Sequence, residues 1–129
     1  MTRKSIYSNS EFERLAGYSR AVVDGEWIFI SGTSGFDPAL GGFAASAEDQ
    51  AKRVLEIISA TLAEADASMA DIVSVRVYLA SRDDVVPVSM LLGAVFSDPR
   101  PTNTTIICGF PVEAIKVEIE AVARRRSDA

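Results

Sequence analysis

Apolar positions along the chain follow two different periods, and each period predicts a different kind of element. Ala51, Val54, Leu55, Ile58, Leu62 and Ala65 recur at steps of three and four, which on a helix of ~3.6 residues per turn gathers them into one core-facing stripe. Just ahead, Ser46-Ala47-Glu48-Asp49 offers a hydroxyl to the free N–H groups of a helix start and acids to the positive end of its dipole. Glu48 and Lys52 then sit four apart on the polar side. Val88, Leu91, Leu92, Val95 and Phe96 form a second stripe. It predicts a helix capped by Asp84, with Pro87 in the first turn where a missing N–H costs least.

Elsewhere the period is two. From Ile72 to Leu79, the positions Val73, Val75, Val77 and Leu79 alternate with Ser74, Arg76 and Tyr78. From Lys116 to Ala123, the positions Val117, Ile119, Ala121 and Ala123 alternate with Lys116, Glu118, Glu120 and Val122. Both stretches read as strands packed on one side. Thr102 to Cys108 is rich in β-branched residues and follows Pro99-Arg100-Pro101, so it is expected to be extended. Asp24-Gly25, between Val22-Val23 and Trp27-Ile28-Phe29-Ile30, predicts a tight type I′ hairpin. Gly32-Thr33-Ser34-Gly35, Asp37-Pro38 and Gly41-Gly42 should then break the strand into a loop of about a dozen residues, a length that tends to be functional or mobile.

This order gives an α+β fold, most economically one mixed sheet with both helices on a single face. The uncovered face would carry Ser74, Arg76, Tyr78, Glu118 and Glu120 beside apolar residues of the hairpin. That mixture suits a wet interface between copies of the chain.

Composition narrows the chemistry. A length of 129 residues fits one domain, residues 1–129, and 48% hydrophobic residues are ample for its core. The chain has no histidine, which removes the commonest general base and the commonest metal ligand and excludes Ser-His-Asp, Cys-His and HExxH chemistries. A single cysteine, Cys108, excludes an internal disulfide and any C-x-x-C pair, and alternation makes it a buried structural thiol. With no apolar stretch after Met1-Thr2-Arg3-Lys4-Ser5 and no long apolar run, a cytoplasmic chain without a membrane segment is expected. The net charge of −5 repels phosphate backbones, so no nucleic-acid partner is expected. Arg124-Arg125-Arg126 reads as a solvated tail or a partner for carboxylates of a neighbouring copy.

Three strings in order around the two helices resemble the YjgF/RidA family, the reactive-intermediate deaminases. They are Gly17-Tyr18-Ser19-Arg20-Ala21-Val22, with Gly17 where a proline is usual, Phe29-Ile30-Ser31-Gly32, and Val117-Glu118-Ile119-Glu120-Ala121. The resemblance runs from about residue 17 to residue 124. It implies a chorismate-mutase-like (RidA-like) fold with one mixed six-stranded sheet and two helices on one face. It also implies a homotrimer around a central barrel, with small-molecule clefts between subunits. Active members hydrolyse enamines and imines such as 2-aminoacrylate to a 2-oxo acid and ammonia, with no metal and no organic cofactor.

One position departs from the family. Its deaminases carry an arginine after a Pro-x pair, which clamps the substrate carboxylate through two parallel hydrogen bonds. Here the string is Pro101-Thr102-Asn103-Thr104, so Asn103 stands in its place. An amide carries no charge, and losing a charge-assisted contact forfeits about 1.5–3 kcal/mol. Asn103 and Thr105 share a strand face and would form a neutral cleft floor, favouring a ligand other than 2-aminoacrylate. Arg100, three residues earlier, projects to the opposite face about 10 Å away. Arg76 is the better replacement, or else simply an ion-pair partner of Glu118.

Glu118 matches the family's cleft carboxylate, suited to activating a water beside an imine carbon, or it balances Arg76 or Lys116. Tyr18 stacks on a ligand or packs at a subunit edge. Ser31 and Gly32 hold a ligand oxygen, or only end a strand. Three functions follow: a hydrolase or binder of a different small molecule, a non-catalytic regulatory protein, and, disfavoured by the acidic surface and missing histidine, the endoribonuclease or translation inhibitor of older family names.

Overall fold

A computed structural model describes residues 3–126. In chain order its elements are β1 (Arg3–Ile6), α1 (Glu11–Ala16), β2 (Ala21–Asp24), β3 (Trp27–Ser34), α2 (Ala47–Glu64), β4 (Ile72–Leu79), α3 (Val85–Val95), β5 (Thr102–Ile107) and β6 (Val117–Arg124). The six strands form one mixed sheet in the order β1-β2-β3-β6-β4-β5. All neighbours are antiparallel except β4 and β5. Helix α2 lies against β3 and β6, and α3 lies beside α2. No helix among the described residues is long and apolar enough to cross a membrane.

The long elements stand where their periods put them. Ser46 caps α2 by accepting from the Asp49 N–H at 3.1 Å, and Ala51, Val54, Leu55, Ile58, Leu62 and Ala65 are all buried. Along β6, Val117, Ile119, Ala121 and Ala123 are buried while Glu118, Glu120 and Val122 are partly open on the other face. Between the layers lies a core that includes Ile28, Ile30, Ile58, Leu62, Val75, Val77, Leu79 and Ile119. Each of these large side chains contributes roughly 1.5–3 kcal/mol by leaving water.

Several expectations need correction. There are three helices, not two, because α1 has six residues and β1 four, too few for either period to register. Capping forms α1 instead: Ser10 accepts from the Glu13 N–H, and Gly17, at φ 72, closes its end. The hairpin turn is Gly25-Glu26, since Asp24 pairs with Trp27. Of these two only Gly25 has positive φ, which is the type II′ pattern rather than I′. Strand β3 continues through Gly32 and Thr33 to Ser34 instead of ending before them. Val73 is exposed rather than in the core, because a register shift between Ile72 and Ser74 turns it out. Val95 is also exposed, and the Asp84 side chain caps nothing; Ser81 caps the preceding 3₁₀ turn by accepting from Asp83 N–H.

Candidate functional site

The site grows from an irregularity in β3. Ile30 pairs with Ala121 and Thr33 with Ile119, so three steps along β3 match two along β6 and one extra residue must bulge at Ser31-Gly32. A bulge turns carbonyls away from the ladder, and Arg20, just before β2, collects them. Its Nη2 donates to Ser31 O at 2.6 Å, to Gly32 O at 3.0 Å and to the buried Thr33 Oγ1 at 2.6 Å. Ser31 returns its N–H to Arg20 O at 3.1 Å and its hydroxyl to Ser19 O at 2.8 Å. The Nε of Arg20 is buried with no partner.

Across the strand, Glu118 of β6 pairs with Ser34 on one side and Tyr78 on the other. Its carboxylate rests over Gly32: a Cβ there would come within 2.9 Å of Glu118 Oε1, so the glycine makes the approach possible. Burial pushes the Glu118 carboxyl above the usual carboxylate range, and the Arg20 charge opposes the shift without cancelling it. Burial likewise pulls the Arg20 guanidinium down, against the pull of Glu13, Tyr18 and Glu118. Glu13 behaves oppositely. Burial pushes it up, but hydrogen bonds from Ser8 and Ser10 and the charge of Arg20 outweigh that and hold it below its ordinary value.

Tyr18, Arg20, Gly32 and Glu118 all line a cleft of 660 Å³. Phe36 and Phe43, from the loop after β3, line it as well, with Ile57 of α2 and Ile115 before β6. The two phenylalanine rings meet edge to face, centroids 5.9 Å apart at 78°. The arrangement holds a half-buried carboxylate of raised pKa beside a fixed cation, able to move a proton at a group bound over Gly32.

Of the residues singled out from sequence, Tyr18, Gly32 and Glu118 therefore come together. Ser31 stands directly behind them, with its hydroxyl engaged on Ser19 O. Asn103 and Thr105 do not join them within one chain. They pair with Val75 and Val77 and so share the helix-covered side of the sheet, and Thr105 Oγ1 donates to Asn103 Oδ1 at 2.8 Å. Asn103 lines a separate depression of 310 Å³ with Ser89, Leu92, Phe96 and Arg100. Arg100 donates from Nε to Phe96 O at 3.2 Å.

Arg76 lies across from Glu120, not Glu118, and beside Tyr78, whose hydroxyl donates to Glu120. Among the described residues Arg76 forms no ion pair, and Lys116 Nζ donates to Ala45 O, so neither cation balances Glu118. Cys108 is half-buried rather than buried; burial and then the nearby Glu118 charge push its thiol up. The basic tail finds partners within the chain: Arg124 pairs with Glu26 at 3.2 Å, Arg126 with Asp71 at 3.1 Å, and Arg125 donates to Ala65 O.

Arg20, Phe36 and Phe43 were not expected at the site. Arg20 lies two residues from Tyr18, but nothing in a one-dimensional pattern reveals that β3 bulges toward it. Among the described residues no three metal-ligating side chains converge.

Comparisons with known proteins converge on one group. Residues 8–125 match the family model described as Endoribonuclease L-PSP. A RutC family protein of Pyrococcus abyssi is 30% identical, with 95% of this chain and 98% of that protein covered. The 2-iminobutanoate/2-iminopropanoate deaminase of Salmonella typhimurium is 27% identical over 95% of this chain and 98% of its own length. A crystal structure of a YjgF/YER057c/UK114 family member from Mycobacterium tuberculosis superposes with a TM-score of 0.86 at 30% identity, covering 95% of this chain and 99% of that one.

Proposed function

The chain belongs to the Endoribonuclease L-PSP family, the YjgF/RidA proteins, and on that premise we propose that its cleft binds a small imine or enamine acid and hydrolyses it to a 2-oxo acid and ammonia. The observation that carries this reading is the Glu118 carboxylate seated over Gly32, with its affinity for a proton raised by burial. In its ionised form Glu118 takes a proton from a water as the oxygen attacks the imine carbon. It then returns that proton to the nitrogen of the carbinolamine formed from the protonated imine and takes the hydroxyl proton as the carbonyl forms, so that the C–N bond breaks and ammonia leaves. Arg20 holds the bulge, and its charge opposes the rise that burial gives Glu118, favouring the ionised form that acts as the base. Tyr18 flanks the bound molecule.

The working form is a homo-oligomer, a trimer by resemblance to the family. The sheet face away from the helices carries Phe29 and Val122 beside Arg76, Tyr78 and Glu120, a mixture that supports burial against another copy. Strand β5 lies at the edge of the sheet with Asn103 exposed. A neighbouring copy would bring Asn103 and Thr105 to the cleft as neutral hydrogen-bonding groups where deaminases of the family carry a cation. RNA cleavage is disfavoured by a net charge of −5 and the lack of any histidine.

The test is ammonia release from a series of imines generated from amino acids by an amino-acid oxidase, 2-iminopropanoate, the tautomer of 2-aminoacrylate, being the smallest. Purified protein should accelerate release over the spontaneous rate, and Glu118→Gln should abolish the acceleration. Release at the spontaneous rate, with this imine and with larger ones, would leave a binding protein rather than a hydrolase.

A further inference from the structure

The cleft is much larger than the imine of a small amino acid requires. The six non-hydrogen atoms of 2-iminopropanoate, even at the ~30 Å³ that liquid water takes per molecule, fill less than ~180 Å³. In the single chain, before a neighbouring copy adds to its lining, the cleft offers 660 Å³. Its lining is mostly apolar, although Ser8, Ser10, Ser34 and Arg53 also face it. Its apolar wall includes Phe36, Phe43, Ile57 and Ile115, drawn from three separate segments of the chain.

Phe36 is 47% exposed although its ring is fixed edge to face against Phe43. A rigid aromatic left open to water inside a concavity gains by burial against an apolar ligand group. The charge at that wall is already occupied. Arg53 donates from Nε to Phe36 O at 3.0 Å and from Nη1 to Glu56 Oε1 at 3.2 Å. It braces the loop that carries the two rings.

We propose that this chain selects imino acids with a bulky apolar side chain, aromatic or branched, whose side chain packs on Phe36 and Phe43 while the imine carbon lies at Glu118. The inference rests on the hydrolase reading for where the reacting end sits, but selectivity of the wall is read without turnover. Stable 2-oxo acids, the products, serve as probes: pyruvate, 4-methyl-2-oxopentanoate and phenylpyruvate are titrated into the full-length protein by calorimetry. Phenylpyruvate should bind at least tenfold more tightly than pyruvate, about 1.4 kcal/mol. Phe36→Ala should remove most of that ratio, chiefly by weakening phenylpyruvate binding, and Phe43→Leu should do so to a smaller extent.

Equal or tighter binding of pyruvate overturns the inference, as does a ratio indifferent to both substitutions or the absence of binding by any of the three acids. Tight phenylpyruvate binding without ammonia release from the phenylalanine-derived imine overturns the hydrolase reading alone. Hydrolysis of the alanine-derived imine as fast as the phenylalanine-derived one, with equal affinities, overturns the selectivity alone.

Discussion

At the β3–β6 junction an arginine, a glutamate and a tyrosine meet over an interrupted strand, whereas at the β4–β5 edge an asparagine and threonines stand on an unbroken parallel ladder. Read as strings, both places held candidates for a ligand. The difference is desolvation. The junction draws its charged groups partly out of water, which raises the proton affinity of Glu118 and leaves a donor of Arg20 buried and unpartnered. The edge keeps neutral groups largely exposed, and they satisfy one another, Thr105 to Asn103. An interruption in a sheet thus concentrates the groups that can do chemistry, because its displaced carbonyls need a donor and that donor brings a charge.

Glu118→Gln tests the junction most severely. It should lower imine hydrolysis by roughly 10²–10⁴-fold, the usual contribution of a positioned acid–base group. Stability should move the other way. A carboxyl whose folded pKa is raised stabilises the fold fully below its unfolded pKa, and that contribution is lost as pH rises through the raised folded value. At neutral pH the glutamine variant should therefore unfold at a higher temperature than the parent, with the gap closing in acid. Melting curves from pH 4 to pH 8 would check this, and a gap that stays constant with pH would contradict it.

Arg20→Met should have the next largest effect. It leaves Gly32 O and Thr33 Oγ1 without the Arg20 donor and Ser31 O with only the Thr33 hydroxyl, at roughly 1–3 kcal/mol for each acceptor left unpaired that water does not reach. It also removes the charge that holds Glu118 down, so the acid limb of the pH–rate profile should shift to higher pH. A profile that stays in place would show that Arg20 is only a strut.

The edge should respond weakly. Asn103→Ala should change stability by less than about 0.5 kcal/mol, as expected for an exposed position. Asn103→Arg is the informative variant. If a second copy carries this position to the cleft, a restored guanidinium should raise kcat/KM for a small imino acid by about tenfold or more, the worth of a charge-assisted contact. No change would mean that position 103 stays outside the cleft in the assembly as it does in the single chain.

Much of this architecture was legible in one dimension. The stripe from Ala51 to Ala65 and the alternation from Val117 to Ala123 repeat over enough residues that only one period fits each, and both helix and strand lie where those periods required. Tyr18, Gly32 and Glu118 could be named as candidates as well, and the fold brings them to one cleft, because short motifs of residue type survive without knowledge of packing. Their convergence with Arg20, and the separation of Asn103 from them, depended on the extra residue in β3, the register of β5 and the ring pair of the following loop. Local periodicity is set by each residue's own preference for water or core, so it is written along the chain. Which polar groups are drawn out of water together is set by contacts between distant segments, and only the folded sheet decides that.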